Sequence, residues 1–362
     1  MVFKEDVESL KKEAIIGCLL GTAVGDAIGL SYEGMSKRRQ RRIYGEIDGH
    51  HFFLGRGMIS DDTEHTCMVA QALIVSGGDA SVFAENLASR FRFWLLGLPA
   101  GIGYATLRAI LKSWIGFPSG RSGVYSAGNG PAMRSAIIGV CYGHDTEKLR
   151  ALIRASTRIT HSDLKAEIGA LAIALAAHVA SNHLGKSSPA EEYYQSLKNI
   201  TEAEADEFLR LIRKTVESAA SGQTTESFAE EIGLSKGVSG YVYHTVPVVI
   251  HSWLRHHNNY RSAILEVVRC GGDTDTTAAI VGGIVGACVG KNGIPKEWID
   301  GLWEWPRTVM WIEQLGKKLA YVSSQGVGEK ALALPLYGLF LRNLFFMLIV
   351  LVHGFRRLLP PY

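Results

Sequence analysis

The sequence predicts an all-α chain, and three observations carry that prediction. Runs that alternate apolar and polar residues at strand period are scarce, whereas apolar residues recur at helical spacing along most of the length. Gly17, Gly21, Gly25 and Gly29 stand every four residues, and Gly282, Gly286 and Gly290 repeat the same spacing near the far end. Two segments, 60–64 and 273–277, place carboxylates and hydroxyls directly before apolar runs, as helix N-termini favour.

In chain order, residues 6–30 are expected to form the first helix. Glycine costs a helix about 1 kcal/mol relative to alanine, so four on one face need a reason. Close approach of a second backbone, with the 282–290 ridge as partner, supplies one. Asp26 interrupts this helix, either as a buried acid satisfied by nearby donors or as an orienting residue behind a cation site. The basic run 37–42 is expected as a solvated loop, with a nucleic-acid or anionic-ligand contact as the minority reading. Helices follow at 61–77, 80–97 and 102–115, then a Gly- and Ser-rich loop at 118–130. Further helices are expected at 131–143, 145–158 and 162–183. Residues 189–240 form a polar helical excursion, and 241–255, 259–269 and 273–290 return to core pattern. The expected division is one all-α domain over 1–330 and an apolar tail over 331–362, read as a docked helix; membrane attachment or a subunit contact is the minority reading.

Composition bounds the function. The chain is 47% hydrophobic and 20% charged, which describes a globular protein and not a disordered one. A net charge of +3 is too small to point to nucleic acid. The N-terminus lacks a signal-peptide pattern, and the five cysteines form no C-x-x-C pair, so a cytoplasmic location is expected. No uninterrupted apolar stretch reaches the ~18 residues of a spanning helix, so no transmembrane span is expected. A homo-oligomer is left open.

The chemistry gathers in four places. Asp273 and Asp275, followed by Thr276, head one apolar helix; Ser60, Asp61 and Asp62 head another. Each set has a plain reading as capping, with Asp61 and Glu64 forming a capping box. Together they offer an oxygen-only donor set suited to hard cations, and four carboxylates can hold two ions about 3.5–4 Å apart. Ser126, Gly128, Asn129 and Gly130 precede a helix whose free N–H groups can receive a diphosphate, or form an ordinary helix entry. His161, in Thr-His-Ser-Asp, is either a polar cap or a donor to phosphate or ribose. Arg134 is either a phosphate partner or a tie to a carboxylate within the fold.

At these residues the chain resembles the ADP-ribosylglycohydrolase family. The matching pieces are Gly17-Cys-Leu-Leu-Gly-Thr-Ala-Val-Gly-Asp-Ala-Ile-Gly29 with Glu33, Ser60-Asp-Asp-Thr63, Gly128-Asn-Gly-Pro-Ala-Met-Arg134, Thr160-His161 and Gly272-Asp-Thr-Asp-Thr-Thr-Ala-Ala279. Each is weak singly, but five in family order are specific. The resemblance implies a compact orthogonal multi-helix domain and a hydrolase that removes ADP-ribose from a modified protein or small molecule. It implies two divalent cations, Mg²⁺ or Mn²⁺, on Ser60, Asp61, Asp62, Asp273, Asp275 and Thr276. Glu33, Asp62 and Asp273 would be catalytic, with Glu33 a general base or a gate. Ser126, Gly128, Asn129, Gly130 and His161 would bind substrate.

Two departures matter. Where the dinitrogenase-reductase branch has Pro-x-Asp-x-Gly, this chain has Pro99-Ala-Gly-Ile-Gly103, so Gly101 replaces a carboxylate near the leaving group. That weighs against an arginine-linked substrate. Ala127 stands where some relatives carry an adenine-stacking aromatic, and Tyr125 is the substitute at hand. Two rival readings follow: a hydrolase of another ribosyl or phosphoester compound, and a non-catalytic ADP-ribose-binding or structural member.

Overall fold

A computed structural model describes residues 2–183, 187–201 and 205–359; the last three residues of the expected tail lie outside them. Among the described residues there are eighteen α-helices, and extended backbone is limited to isolated bridges. The centre is an antiparallel pair, α1 (Val2–Gly29) and α15 (Thr274–Val289), whose packing is the most extensive in the molecule.

The glycine spacing explains that pair. A Cβ on Gly17, Gly21 or Gly25 would lie 2.1 Å from the carbonyl oxygen of Gly286, Gly282 or Ala278 respectively. On Gly29 it would lie 2.2 Å from Thr274 O. Only a bare backbone permits this approach, so the ridge fixes the register of the two helices. The Tyr260 hydroxyl donates to Gly21 O at 2.6 Å within the same seam. Because the pair is antiparallel, the end of α1 and the start of α15 meet.

Around this axis pack α3 (Asp61–Ser76), α7 (Ala136–Tyr142), α9 (Leu164–Asn182), α13 (Val242–Arg255), α14 (Tyr260–Val268) and α17 (Val309–Gln325). The expected helix over 131–143 is broken into α6 (Gly130–Met133) and α7, since Arg134 turns inward to bond its own entry carbonyl, Gly130 O, at 3.1 Å. The basic run is a helix, α2 (Lys37–Tyr44), and not the expected loop. Ser36 accepts from Arg39 N at its start, and Gly45 at φ +68 ends it. The expected capping box is also absent. Ser60 caps α3, while Glu64 turns into the core, where it accepts from Arg307 Nη1 at 2.6 Å and Trp94 Nε1 at 2.5 Å.

The expectation about membrane-spanning length needs correction. Three segments are long and apolar enough by composition: Glu8–Tyr32, Leu164–Asn182 and Leu336–Arg356. The first runs from α1 through a 3-10 turn at Leu30–Tyr32 and the second is α9; both are largely enclosed by other helices. The third falls in α18 (Leu336–Arg357), and only 28% of its apolar window is buried. Counting uninterrupted apolar residues missed it because Arg342 and Asn343 interrupt the run. Both are buried, so the interruption faces the protein.

Candidate active site

The register of α1 against α15 brings Glu33, just beyond the end of α1, to the head of α15. Gly34 N donates to Gly272 O at 2.8 Å, and Thr274 Oγ1 donates to Gly29 O at 2.8 Å. Gly272 has φ +83, and a Cβ there would lie 2.0 Å from Val238 O. This turn aims the start of α15 at the end of α1. Asp273 N donates to Val238 O at 2.9 Å.

Asp26 ties the third element to this corner. Its buried carboxylate accepts from Ser60 N at 2.9–3.0 Å, from Thr63 N at 3.1 Å and from the Thr63 hydroxyl. It thereby holds the N-terminus of α3 against α1. Of the two readings open from sequence, Asp26 is satisfied by nearby donors, and those donors belong to the turn that presents Ser60, Asp61 and Asp62. Burial raises its pKa to about 7, with the four hydrogen bonds opposing the rise.

Glu33, Asp61, Asp273, Asp275 and Thr276 thus line one cleft of about 450 Å³, together with Ser126, Gly128, Asn129, Gly130 and His161. That volume suits a small-molecule ligand. Asp62 lies just beneath. Its Oδ2 accepts from Ser60 Oγ at 3.0 Å and from Thr276 Oγ1 at 3.2 Å, which joins α3 to α15, while Oδ1 is buried without a partner. Asp273 is the N-cap of α15, yet its side chain bonds no α15 N–H; Oδ2 accepts from Asn129 Nδ2 at 2.7 Å. Asp275 Oδ1 accepts from Thr276 N at 2.9 Å. Capping therefore leaves Asp61, Asp273 and Asp275 facing the cleft.

Burial, then neighbouring carboxylates, push Asp61, Asp62 and Asp275 well above the usual carboxylate range. For Asp61 those neighbours begin with Asp26 and Glu64, for Asp62 with Asp61 and Asp26, and for Asp275 with Glu33 and Asp62. Arg108 is the single guanidinium among the described residues lining the cleft. Like charges this close do not ionise together unless a cation joins them. The donor set fits hard divalent cations: its ligand atoms are oxygens, and Asp62 Oδ1 is orphaned. Among the described residues no three His, Cys, Asp or Glu side chains form a preformed metal cluster. Ser60 and Thr276 donate their hydroxyl protons to Asp62, which leaves a lone pair on each oxygen available to a cation.

On the opposite wall, the Gly-rich loop is held by Asn129 N donating to Gly240 O and Val242 N donating to Ala127 O, each at 2.9 Å. A Cβ on Gly128 would lie 2.9 Å from His161 Nε2, so the imidazole packs against the loop backbone. His161 Nδ1 bonds Thr160 Oγ1 at 2.9 Å, and burial followed by the Arg134 charge lowers its pKa to about 3. The ring is therefore neutral at pH values above about 3. Arg134 meets neither expectation: its guanidinium donates to Gly130 O, Ser156 O and Thr160 Oγ1, locking the wall that carries His161.

Gly101 adjoins the cations' expected place. It has φ +79, and a Cβ there would stand 3.8 Å from Asp61 Oδ1. Tyr125 is 85% exposed at the cleft rim, whereas Ala127 is half-buried against the hydrophobic core. Tyr104, 75% exposed, stands at the same rim with Arg108 over its ring at 5.4 Å. The sequence reading missed both Tyr104 and Arg108; an aromatic at the first turn of a helix carries no periodic signal. His244 bonds Ser239, His251 bonds Ser218 and Thr225, and His256 bonds Glu266, all outside the cleft lining.

Residues 8–327 match the ADP-ribosylglycohydrolase family. An uncharacterized protein of Archaeoglobus fulgidus is 32% identical over 314 residues, covering 85% of this chain and 96% of its own. The ADP-ribosyl-[dinitrogen reductase] glycohydrolase of Rhodospirillum rubrum is 27% identical over 293 residues, covering 79% and 89%. A solved ADP-ribosylglycohydrolase-related protein complex has a chain similar in fold, with a TM-score of 0.62 at 24% identity over 87% of this chain and 99% of that one. With the glycine seam, the two acid-bearing helix heads and this match over most of its length, the chain belongs to the ADP-ribosylglycohydrolase family.

Proposed function

We propose that the chain is a divalent-cation-dependent hydrolase that removes ADP-ribose from a protein or small molecule through a linkage other than arginine. One observation carries the reading: Glu33, Asp61, Asp273, Asp275 and Thr276 share a single cleft with the Gly128–Gly130 loop and His161. Asp61, Asp62, Asp273 and Asp275, with the Ser60 and Thr276 hydroxyls, would hold two Mg²⁺ or Mn²⁺ ions. When bound, these supply Lewis acidity toward ribose oxygens and an incoming water.

The chain's own residues supply the rest. Glycosidic cleavage passes through an oxocarbenium-like state and needs a base for water and a fixed sugar. Glu33, beside Asp275, takes the water's proton as the glycosidic bond breaks and then returns it to the leaving atom. Asn129 orients Asp273 at 2.7 Å, and Asp26 fixes the Ser60–Asp62 turn. The backbone of the Ser126–Gly130 loop receives the diphosphate, with neutral His161 behind it. Tyr125 or Tyr104 covers the adenine. The five unpaired cysteines suit the reducing cytoplasm, where we place the activity.

The linkage proposal rests on Gly101. A leaving guanidine is cationic and gains from a nearby carboxylate, and this position, 3.8 Å from Asp61 for a Cβ, offers none. A panel of arginine-, serine- and small-molecule-linked ADP-ribose, run with and without chelator, tests the proposal. Free ADP-ribose is expected only with added Mg²⁺ or Mn²⁺ and least from arginine. ADP-ribose binding without turnover on any linkage refutes the enzymatic reading, and best turnover on arginine refutes the role of Gly101.

A further inference from the structure

The helix α18 lies beyond the family match, which ends at residue 327, and shows two unlike faces. Its inner face is fixed to the body. Arg342 donates to Glu304 Oε1 at 2.8 Å, to Glu304 Oε2 at 2.6 Å and to Ile59 O at 2.5 Å, while Asn343 Nδ2 donates to Gly97 O at 2.8 Å. Phe346 and Ile349 continue this buried line. The outer face is apolar and open: Leu348 is 62% exposed, Val352 65% and Phe355 67%.

Beside it stands Leu54, 88% exposed at φ +49, at the tip of a turn closed by Phe53 and Arg56. A bulky side chain in that conformation is strained, and here it presents an apolar tip to solvent. Leu54, Leu348 and Val352 flank an apolar groove of about 420 Å³. An apolar surface of this extent is covered by something in a functioning protein.

Charge identifies the occupant. No Asp or Glu follows Glu329 in the sequence. Arg356 is exposed at the C-terminal end of α18. Arg39 Nη2 donates to Leu359 O at 3.2 Å, which sets the basic helix α2 against that same end, with Arg38 and Arg42 exposed. Arg41 is paired with Glu226. An apolar strip rimmed at one end by arginines matches the acyl boundary and phosphates of an anionic bilayer.

We propose that α18 and the Leu54 turn dock this chain on an anionic lipid surface, with α18 lying in the membrane plane. Although α18 has the length and apolarity of a spanning helix, crossing the bilayer would tear Arg342 from Glu304 and Ile59. Breaking a buried charge pair is strongly unfavourable, so the helix lies flat. Ile59 directly precedes Ser60, so the Arg342 bond ties the docked helix to the candidate cation turn.

Flotation of the full chain with vesicles of phosphatidylcholine alone, or with phosphatidylglycerol added, tests this. The chain is expected to float with the anionic vesicles and to remain below with the neutral ones. Leu348→Asp with Val352→Asp should reduce flotation at least about tenfold, as two apolar anchors are lost. Arg38→Glu with Arg42→Glu, on an exposed helix, should do the same without touching the apolar face. Circular dichroism and turnover in solution should match the parent chain for both variants. Absence of flotation, equal flotation on neutral vesicles, or insensitivity to both variants overturns the proposal. So does light scattering that shows a dimer dissociated by Leu348→Asp, since the face would then belong to a second copy.

Discussion

Substituting Gly21 by alanine tests the seam on which the whole site depends. The added Cβ would lie 2.1 Å from Gly282 O, 2.9 Å from Gly282 C and 3.1 Å from Gly286 Cα. Favourable contact begins near 3.5 Å, so α1 and α15 must part by roughly 1 Å. The obstacle is backbone on both sides, which cannot rotate away. Helix propensity favours alanine by about 1 kcal/mol, but overpacking against fixed atoms costs about 1–3 kcal/mol or more. With backbone at 2.1 Å the overpacking cost sits at or above the top of that range, so a net loss of about 2 kcal/mol or more is expected. Turnover should fall further, because a shift of about 1 Å between Glu33 and the Asp273–Asp275 turn costs on the order of 10²-fold. Urea unfolding followed by circular dichroism reads the first effect, and turnover with Mn²⁺ reads the second. Gly354→Ala is the control: it lies within α18 with nothing near its Cβ, so a stabilisation of up to about 1 kcal/mol is expected. A Gly21→Ala chain as stable and as active as its parent would refute the close-approach argument.

The remaining predictions concern the cleft and the buried charges. Asp62→Asn and Asp273→Ala should each abolish cation-dependent turnover while keeping most helicity; full activity in either removes it from the ligand set. Dialysis against EDTA should stop turnover, with recovery on adding Mg²⁺ or Mn²⁺ and none on adding Na⁺, measured by release of free ADP-ribose. His161 has a folded pKa near 3 against 6.5 unfolded. The unfolded chain therefore binds more protons between these values, and the stability contribution present above 6.5 is lost as pH falls toward 3. His161→Gln should flatten the acid limb of the urea-derived unfolding free energy against pH by up to a few kcal/mol, roughly at 1.36 kcal/mol per unit; an unchanged slope refutes the neutral-histidine assignment. Arg307→Leu removes the 2.6 Å partner of buried Glu64, which keeps Arg342 at 3.7 Å and the Trp94 donor, and should cost about 3 kcal/mol in urea unfolding.

Much of the helix order was legible because each helix buries a periodic apolar face, and periodicity is a local signal. The glycine seam was legible for the same reason: a four-residue spacing marks one helix face, and only a backbone neighbour gives such a face a purpose. Short elements were not legible. The basic helix α2 depends on Ser36 and Gly45 at its ends, and the break at Arg134 depends on bonds to Gly130 and Ser156. The tail's length was hidden by Arg342, whose burial against Glu304 no local count could reveal.

By itself the sequence determined the class of the fold and the ridge that sets its central pair, and it supplied the oxygen-bearing residues proposed to hold a hard cation, since these follow from spacing and side-chain chemistry. Tertiary structure alone decided that Ser60 does the capping at α3 while Asp61, Asp273 and Asp275 face one cleft, that Asp26 reaches from α1 to hold the Ser60 turn, and that Gly101 stands beside Asp61. A carboxylate at a helix start bonds either its own backbone or something across space. Which it does depends on neighbours 34 to 214 positions away, a distance over which no local pattern extends.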